Sequence, residues 1–140
     1  MGRVDVVNYL LDTHVWLWGL GRTNKLPERI LQIVRNPEVV LWLSPVSVDE
    51  ALARTARGHL SLGPDPLRWV GRALVESRVR EATLTFAIAA MAHDFVLATT
   101  DPADRLIVAT ARFHGFTLIT ADRRLAEVPG VDVLAFDPPR

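Results

Sequence analysis

The chain has 140 residues, 49% hydrophobic and 23% charged, which suits a single domain, residues 1–140, that buries its core without covalent staples. It has no cysteine, so disulfides, a thiol nucleophile and zinc–thiolate sites are excluded, and a reducing cytoplasm is the expected setting. Its 16 basic and 16 acidic residues balance, so total charge announces neither a nucleic-acid partner nor an acidic one.

Lys25 is the only lysine, and every other basic residue is arginine, whose guanidinium fork suits phosphate. Residues 1–5 carry two charges and no long apolar core follows, so no secretory leader is expected. The longest apolar stretch, about residues 86–92, is too short to span a bilayer.

Short apolar runs alternate with helical segments. VVNYLLD (6–12) reads as a buried strand, followed by the helical THVWLW. Leu26-Pro27 opens a helix to about Arg35, and Asn36-Pro37 stops it. VVLWLS (39–44) is a second strand. It leads into a helix with Ser44 as its cap and Pro45 at its first position. Pro66 opens a helix through about Arg80, a short extra strand is expected around residues 82–85, and another helix covers about residues 86–94. Asp101-Pro102 opens a helix that Gly115 ends, followed by strands TLIT (117–120) and VDVLAF (131–136). Near-continuous apolar strands interleaved with helices predict a three-layer α/β/α domain with a mostly parallel sheet.

In such a sheet ligands bind at the carboxyl ends of the strands, where the following helices begin. Asp12 ends the first strand. Glu50 lies about two turns into the helix after VVLWLS. Asp104 sits in the first turn of the helix before TLIT, and Asp122 follows that strand. Topology alone therefore brings four acids from distant segments to one rim. Each also has a structural reading. Asp12 caps the next helix, Glu50 pairs with Arg54 at i+4, and Asp122 caps the RRLAEV turn. Asp101 caps the helix that Asp104 heads, and Asp104 starts the apolar stripe Ile107, Val108, Ala111.

Carboxylates packed together repel, and some stay protonated at neutral pH. A hard divalent cation, Mg²⁺ or Mn²⁺, removes that conflict and supplies an activated water for attack on a phosphodiester. With those four acids set aside, 12 acidic residues face 16 basic ones, a surface that suits a phosphate backbone around an acidic pit.

LLDTHVWLW, SPVSVDEALAR and DPADRLIVATARFHGFTLITAD resemble, in order and spacing, the motifs of PIN-domain ribonucleases, above all VapC toxins of toxin–antitoxin pairs. The resemblance covers nearly the whole chain and implies a PIN-like fold. By motif position Asp12, Glu50, Asp104 and Asp122 match the family's metal-binding acids. Asp101 belongs to the same DPADR block, and Thr120 stands where a small hydroxyl often supports the site. The usual Trp-Glu before the second helix is here Asp49-Glu50, and Arg54 replaces a lysine. The resemblance further implies Mg²⁺- or Mn²⁺-dependent cleavage of RNA, often tRNA or ribosomal RNA, a homodimer, and silencing by a small VapB-like antitoxin. The alternative reading is a non-catalytic PIN-like module that binds RNA or protein, or an RNA-processing nuclease outside toxin–antitoxin systems.

His14, His59, His93 and His114 lack metal-ligand spacing and read as surface or helix-end residues. Arg54, Arg57, Arg105, Arg112, Arg123 and Arg124 lie near the rim motifs, a set from which RNA or antitoxin contacts would be drawn. The four tryptophans read mostly as core, with Trp18 or Trp69 open to an interface role. The segments GRTNKLPE and RGHLSLGPDP are loops suited to partner contact or substrate gating. No Gly-rich phosphate cradle is present, and the second acid of a haloacid-dehalogenase-like phosphatase is replaced by His14.

Overall fold

A computed structural model describes residues 6–21, 25–97 and 99–139. The middle of the GRTNKLPE loop and the residues read for a leader lie outside the described residues. Five strands, β1 (Asn8–Leu11), β2 (Val40–Leu43), β3 (Arg80–Glu81), β4 (Thr117–Thr120) and β5 (Asp132–Ala135), form one sheet in the order β3-β2-β1-β4-β5. Every pairing is parallel, and β1 sits at the centre with Tyr9 between Leu41 and Thr117. The helices are α1 (Thr13–Leu20), α2 (Glu28–Arg35), α3 (Pro45–Ala56), α4 (Pro66–Glu76), α5 (Phe86–Met91) and α6 (Pro102–His114).

Alternation along the strands separates two cores. Leu11, Leu41, Leu43 and Ile119 point to the face covered by α1, α2 and α4, where Val15, Trp16, Ile30 and Val70 complete the packing. Leu10 and Leu118 point to the opposite face, against Ile107, Val108 and Ala111 of α6. Ile88 and Ala92 of the α5 segment pack on Ala109 of α6. The expected three-layer α/β/α arrangement is the one observed. Helix α3 meets α1, α4 and α6, and the Thr13 hydroxyl donates to the Ser47 hydroxyl at 2.9 Å to fasten α1 to α3.

The helix starts follow their sequence signals. Ser44 accepts from the Val46 N–H with Pro45 at the first position, and Asp101 accepts from the Ala103 N–H ahead of α6. Three expectations are corrected. Helix α4 ends at Glu76, four residues early, because the Ser77 hydroxyl donates to the Ala73 carbonyl at 2.6 Å and accepts from Trp16 Nε1 at 3.1 Å. Arg78 then takes a left-handed φ of 56° and turns the chain into β3. Strand β3 falls at Arg80–Glu81, before the expected 82–85, and its exposed charged pair suits a sheet edge. Thr85 serves instead as the cap of α5, which stops at Met91. Among the described residues no helix is long and apolar enough to cross a membrane.

Gly115 ends α6 at φ 71° and sets the angle at which α6 returns to β4. No side chain would obstruct a Cβ there, so only backbone conformation opposes substitution. Gly115→Ala should therefore cost about 1 kcal/mol in urea unfolding, with Gly115→Asn costing less. Equal midpoints for all three proteins would contradict this.

Candidate active site

The carboxyl edge of the sheet holds a cleft of about 540 Å³. Asp12, Glu50, Asp104 and Asp122 all line it, with Asp101 and Arg54 at the rim. Each acid arrives from a different element: the end of β1, the middle of α3, the first turn of α6 and the turn after β4. The parallel sheet is the reason, because every strand ends and every following helix begins on that edge.

Asp12 is 8% exposed and the most tightly held of the four. Its backbone N–H extends the β1–β4 ladder by donating to the Ile119 carbonyl at 3.0 Å. One carboxylate oxygen accepts from the Thr13 N–H at 2.9 Å as the cap of α1, and the other accepts from the Thr120 hydroxyl at 2.6 Å. Thr120 in turn accepts from the Asp122 N–H at 3.0 Å, so one hydroxyl links two of the acid-bearing turns. Burial raises the Asp12 pKa. The Thr120 and Thr13 hydrogen bonds oppose that rise, and the charge of Glu50 adds to it.

Asp104 is half-buried and its pKa is pushed up to about 6, first by burial and then by repulsion from Asp101, Asp12 and Glu50. The Thr99 hydroxyl partly offsets this. Glu50 makes only a long contact with Arg54, at 3.6 Å. Asp122 differs from the other three. Arg124 grips its carboxylate with a contact as short as 2.6 Å, and its pKa is lowered, chiefly by that bond.

The PIN-domain family pattern matches residues 9–131. The chain belongs to the PIN-domain family. It is similar to Ribonuclease VapC22 of Mycobacterium tuberculosis, 32% identical over 117 residues that cover 83% of this chain and 88% of that one. VapBC2 from Rickettsia felis, bound to a DNA fragment from its promoter, shares the fold with a TM-score of 0.68 at 12% identity, over 94% of this chain and 100% of that one. DNA-bound VapBC from Salmonella typhimurium does so with a TM-score of 0.67 at 16% identity, over 93% and 98% of the two chains.

As a metal site this PIN-domain cleft fits by chemistry and charge. Its donors are carboxylate oxygens, and burial together with neighbouring carboxylates raises the proton affinity of Asp12 and Asp104, a cost that a hard cation would relieve. Among the described residues, however, no three acids or histidines already converge on one point. Ligation by Asp122 requires Arg124 to release it. Asp101 is exposed and committed to capping α6. Of the Asp49-Glu50 pair, Glu50 lines the acidic cleft, whereas Asp49 lines a neighbouring cavity.

Sequence reasoning did not assign His14, Trp18 or Thr99 to the site, and it placed Arg124 near the rim without its pairing to Asp122. His14, read as a surface or helix-end residue, lines the cleft, its ring tilted against Trp18 with centroids 5.3 Å apart. Their i,i+4 spacing directly after Asp12 was the available signal. Thr99 and the Arg124 clamp carry no such signal, because each depends on how a turn closes.

The raised Asp104 pKa fixes a sign. The stability that neutral Asp104 contributes is fully present below its unfolded pKa of 3.8 and is lost as pH rises through about 6. In chelator, Asp104→Asn should thus melt a few degrees above the parent at pH 7.5, and the gap should close toward pH 4. A gap independent of pH would contradict the assigned cause.

Proposed function

We propose that this chain is a metal-dependent endoribonuclease, the toxin of a VapBC-type pair, that hydrolyses RNA phosphodiesters. The observation that carries the reading is the buried Asp12 carboxylate at the floor of a cleft that three further acids line. The 32% identity to Ribonuclease VapC22 supports the same reaction class. Asp12, Glu50, Asp104 and Asp122 are the residues that would hold Mg²⁺ or Mn²⁺. Such an ion supplies positive charge to the phosphate and a water acidified for attack.

The chain's own groups then divide the work. Thr13 and Thr120 orient Asp12, so its oxygens need no reordering. Glu50, only loosely paired, is free to turn toward the floor. When Asp122 turns inward, Arg124 is released beside the phosphate, where its fork stabilises developing negative charge. Substrates in the tRNA or ribosomal RNA class follow from the VapC resemblance, as do a cytoplasmic setting and a homodimer. A small VapB-like antitoxin is the proposed partner, in line with the VapBC complexes that share the fold. The Arg124–Asp122 clamp favours a second reading, a non-catalytic binding module, and the test separates the two.

Asp12→Asn keeps an acceptor for the α1 cap and removes the charge. It should melt no lower than the parent yet cleave bacterial RNA at least about 100-fold more slowly, the scale of losing a metal-holding group. Chelator should silence the parent protein and Mn²⁺ restore it. Undiminished cleavage by Asp12→Asn, or by the parent in chelator, would contradict the proposal.

A further inference from the structure

A second cavity, of about 670 Å³, adjoins the acidic cleft, and Glu50, Arg54 and Asp101 line both. The two form one trough. Its acidic end holds Asp12 and Asp104, and its far end holds Arg57 and His59. Glu50 and Arg54 on α3 and Arg57 at its C-cap stand at i, i+4 and i+7, so they follow one stripe that runs about 10 Å along the helix axis. The N-terminus of α6 forms the opposite wall.

The structure also sorts the arginines. Arg105 donates to the Ala92 and Phe95 carbonyls, at 3.0 and 3.2 Å, and fastens a loop. Arg112 lies over the Phe95 ring. Arg123 pairs with Asp137 at 3.1 Å. Arg57 differs. Its Nε donates to the Ala53 carbonyl at 3.3 Å, which anchors the guanidinium, and among the described residues its terminal nitrogens meet no carboxylate. The exposed His59 lies beside it, just past the helix end.

We infer that Arg57 and His59 form a phosphate subsite that holds the RNA strand beyond the bond being cut. This rests on the nuclease reading and extends it to the direction of the strand, along α3 and away from Asp12. Asp49 lines the same cavity, so the subsite contacts the backbone at its basic end only. Arg57 and His59 are positioning residues: they bind phosphate and touch no reacting atom.

The test pairs two readouts on Arg57→Ala/His59→Ala, with Arg72→Ala on α4, outside the trough, as the matched charge loss. The first is Mn²⁺-dependent cleavage of total bacterial RNA. The second is the salt dependence with which a fluorescent, random-sequence single-stranded RNA pool binds each variant made in the Asp12→Asn background. The double variant should raise KM several-fold with kcat held within about twofold, and should flatten the log–log salt slope by about 0.7 for each phosphate no longer neutralised. Arg72→Ala should change neither. If the parent cleaves RNA and the double variant keeps its KM and salt slope, the subsite is wrong and the nuclease reading stands. A parent that cleaves no RNA overturns both.

Discussion

The buried carboxylate of Asp12 is the constraint on which the rest of the molecule depends. One residue closes the central strand through its backbone N–H, and its side chain caps the first helix and is tied to β4 by the Thr120 hydroxyl. Those bonds offset part of the cost of burying a charge, and the remainder appears as a raised pKa. The carboxylate that caps α1 and meets Thr120 also lines the cleft, so the capping and functional readings of Asp12 are not rivals.

The parallel sheet extends that logic outward. Because all five strands run one way, their carboxyl ends share an edge with the starts of α1, α3 and α6. Asp12 and Asp104, at the starts of α1 and α6, gain from the helix N-termini, and the acids of the cleft repel one another. Asp104 shows the balance: burial and then repulsion win, and its pKa rises to about 6. Asp122 settles the conflict differently, by taking Arg124 as its counter-ion within the same turn. An arginine there holds the charge of the pit in check.

Much of this was legible in the residues. Pro45, Pro66 and Pro102 mark helix starts, Gly115 marks a stop, and apolar runs mark four of the strands, because each signal is local chemistry. The shared edge of the four acids followed from topology rather than propensity. What escaped depends on tertiary context. The strand β3 is two exposed charged residues and has no apolar pattern to betray it. The end of α4 is set by Ser77, which serves Trp16 from 61 positions away in the chain. Which of Asp49 and Glu50 faces the pit depends on the rotation of α3 against α1 and α6, fixed in part by the Thr13–Ser47 hydrogen bond.

The central claim is that these four acids form one ion-binding pocket, and paramagnetic NMR tests it without recourse to activity. Substoichiometric Mn²⁺ broadens amide signals steeply with proximity. Broadening is expected first at Asp12, Thr13, Glu50, Asp104 and Asp122, and is expected to vanish in the Asp12→Asn variant. Broadening centred elsewhere, or unchanged by that substitution, would show that the cleft gathers acids without binding an ion.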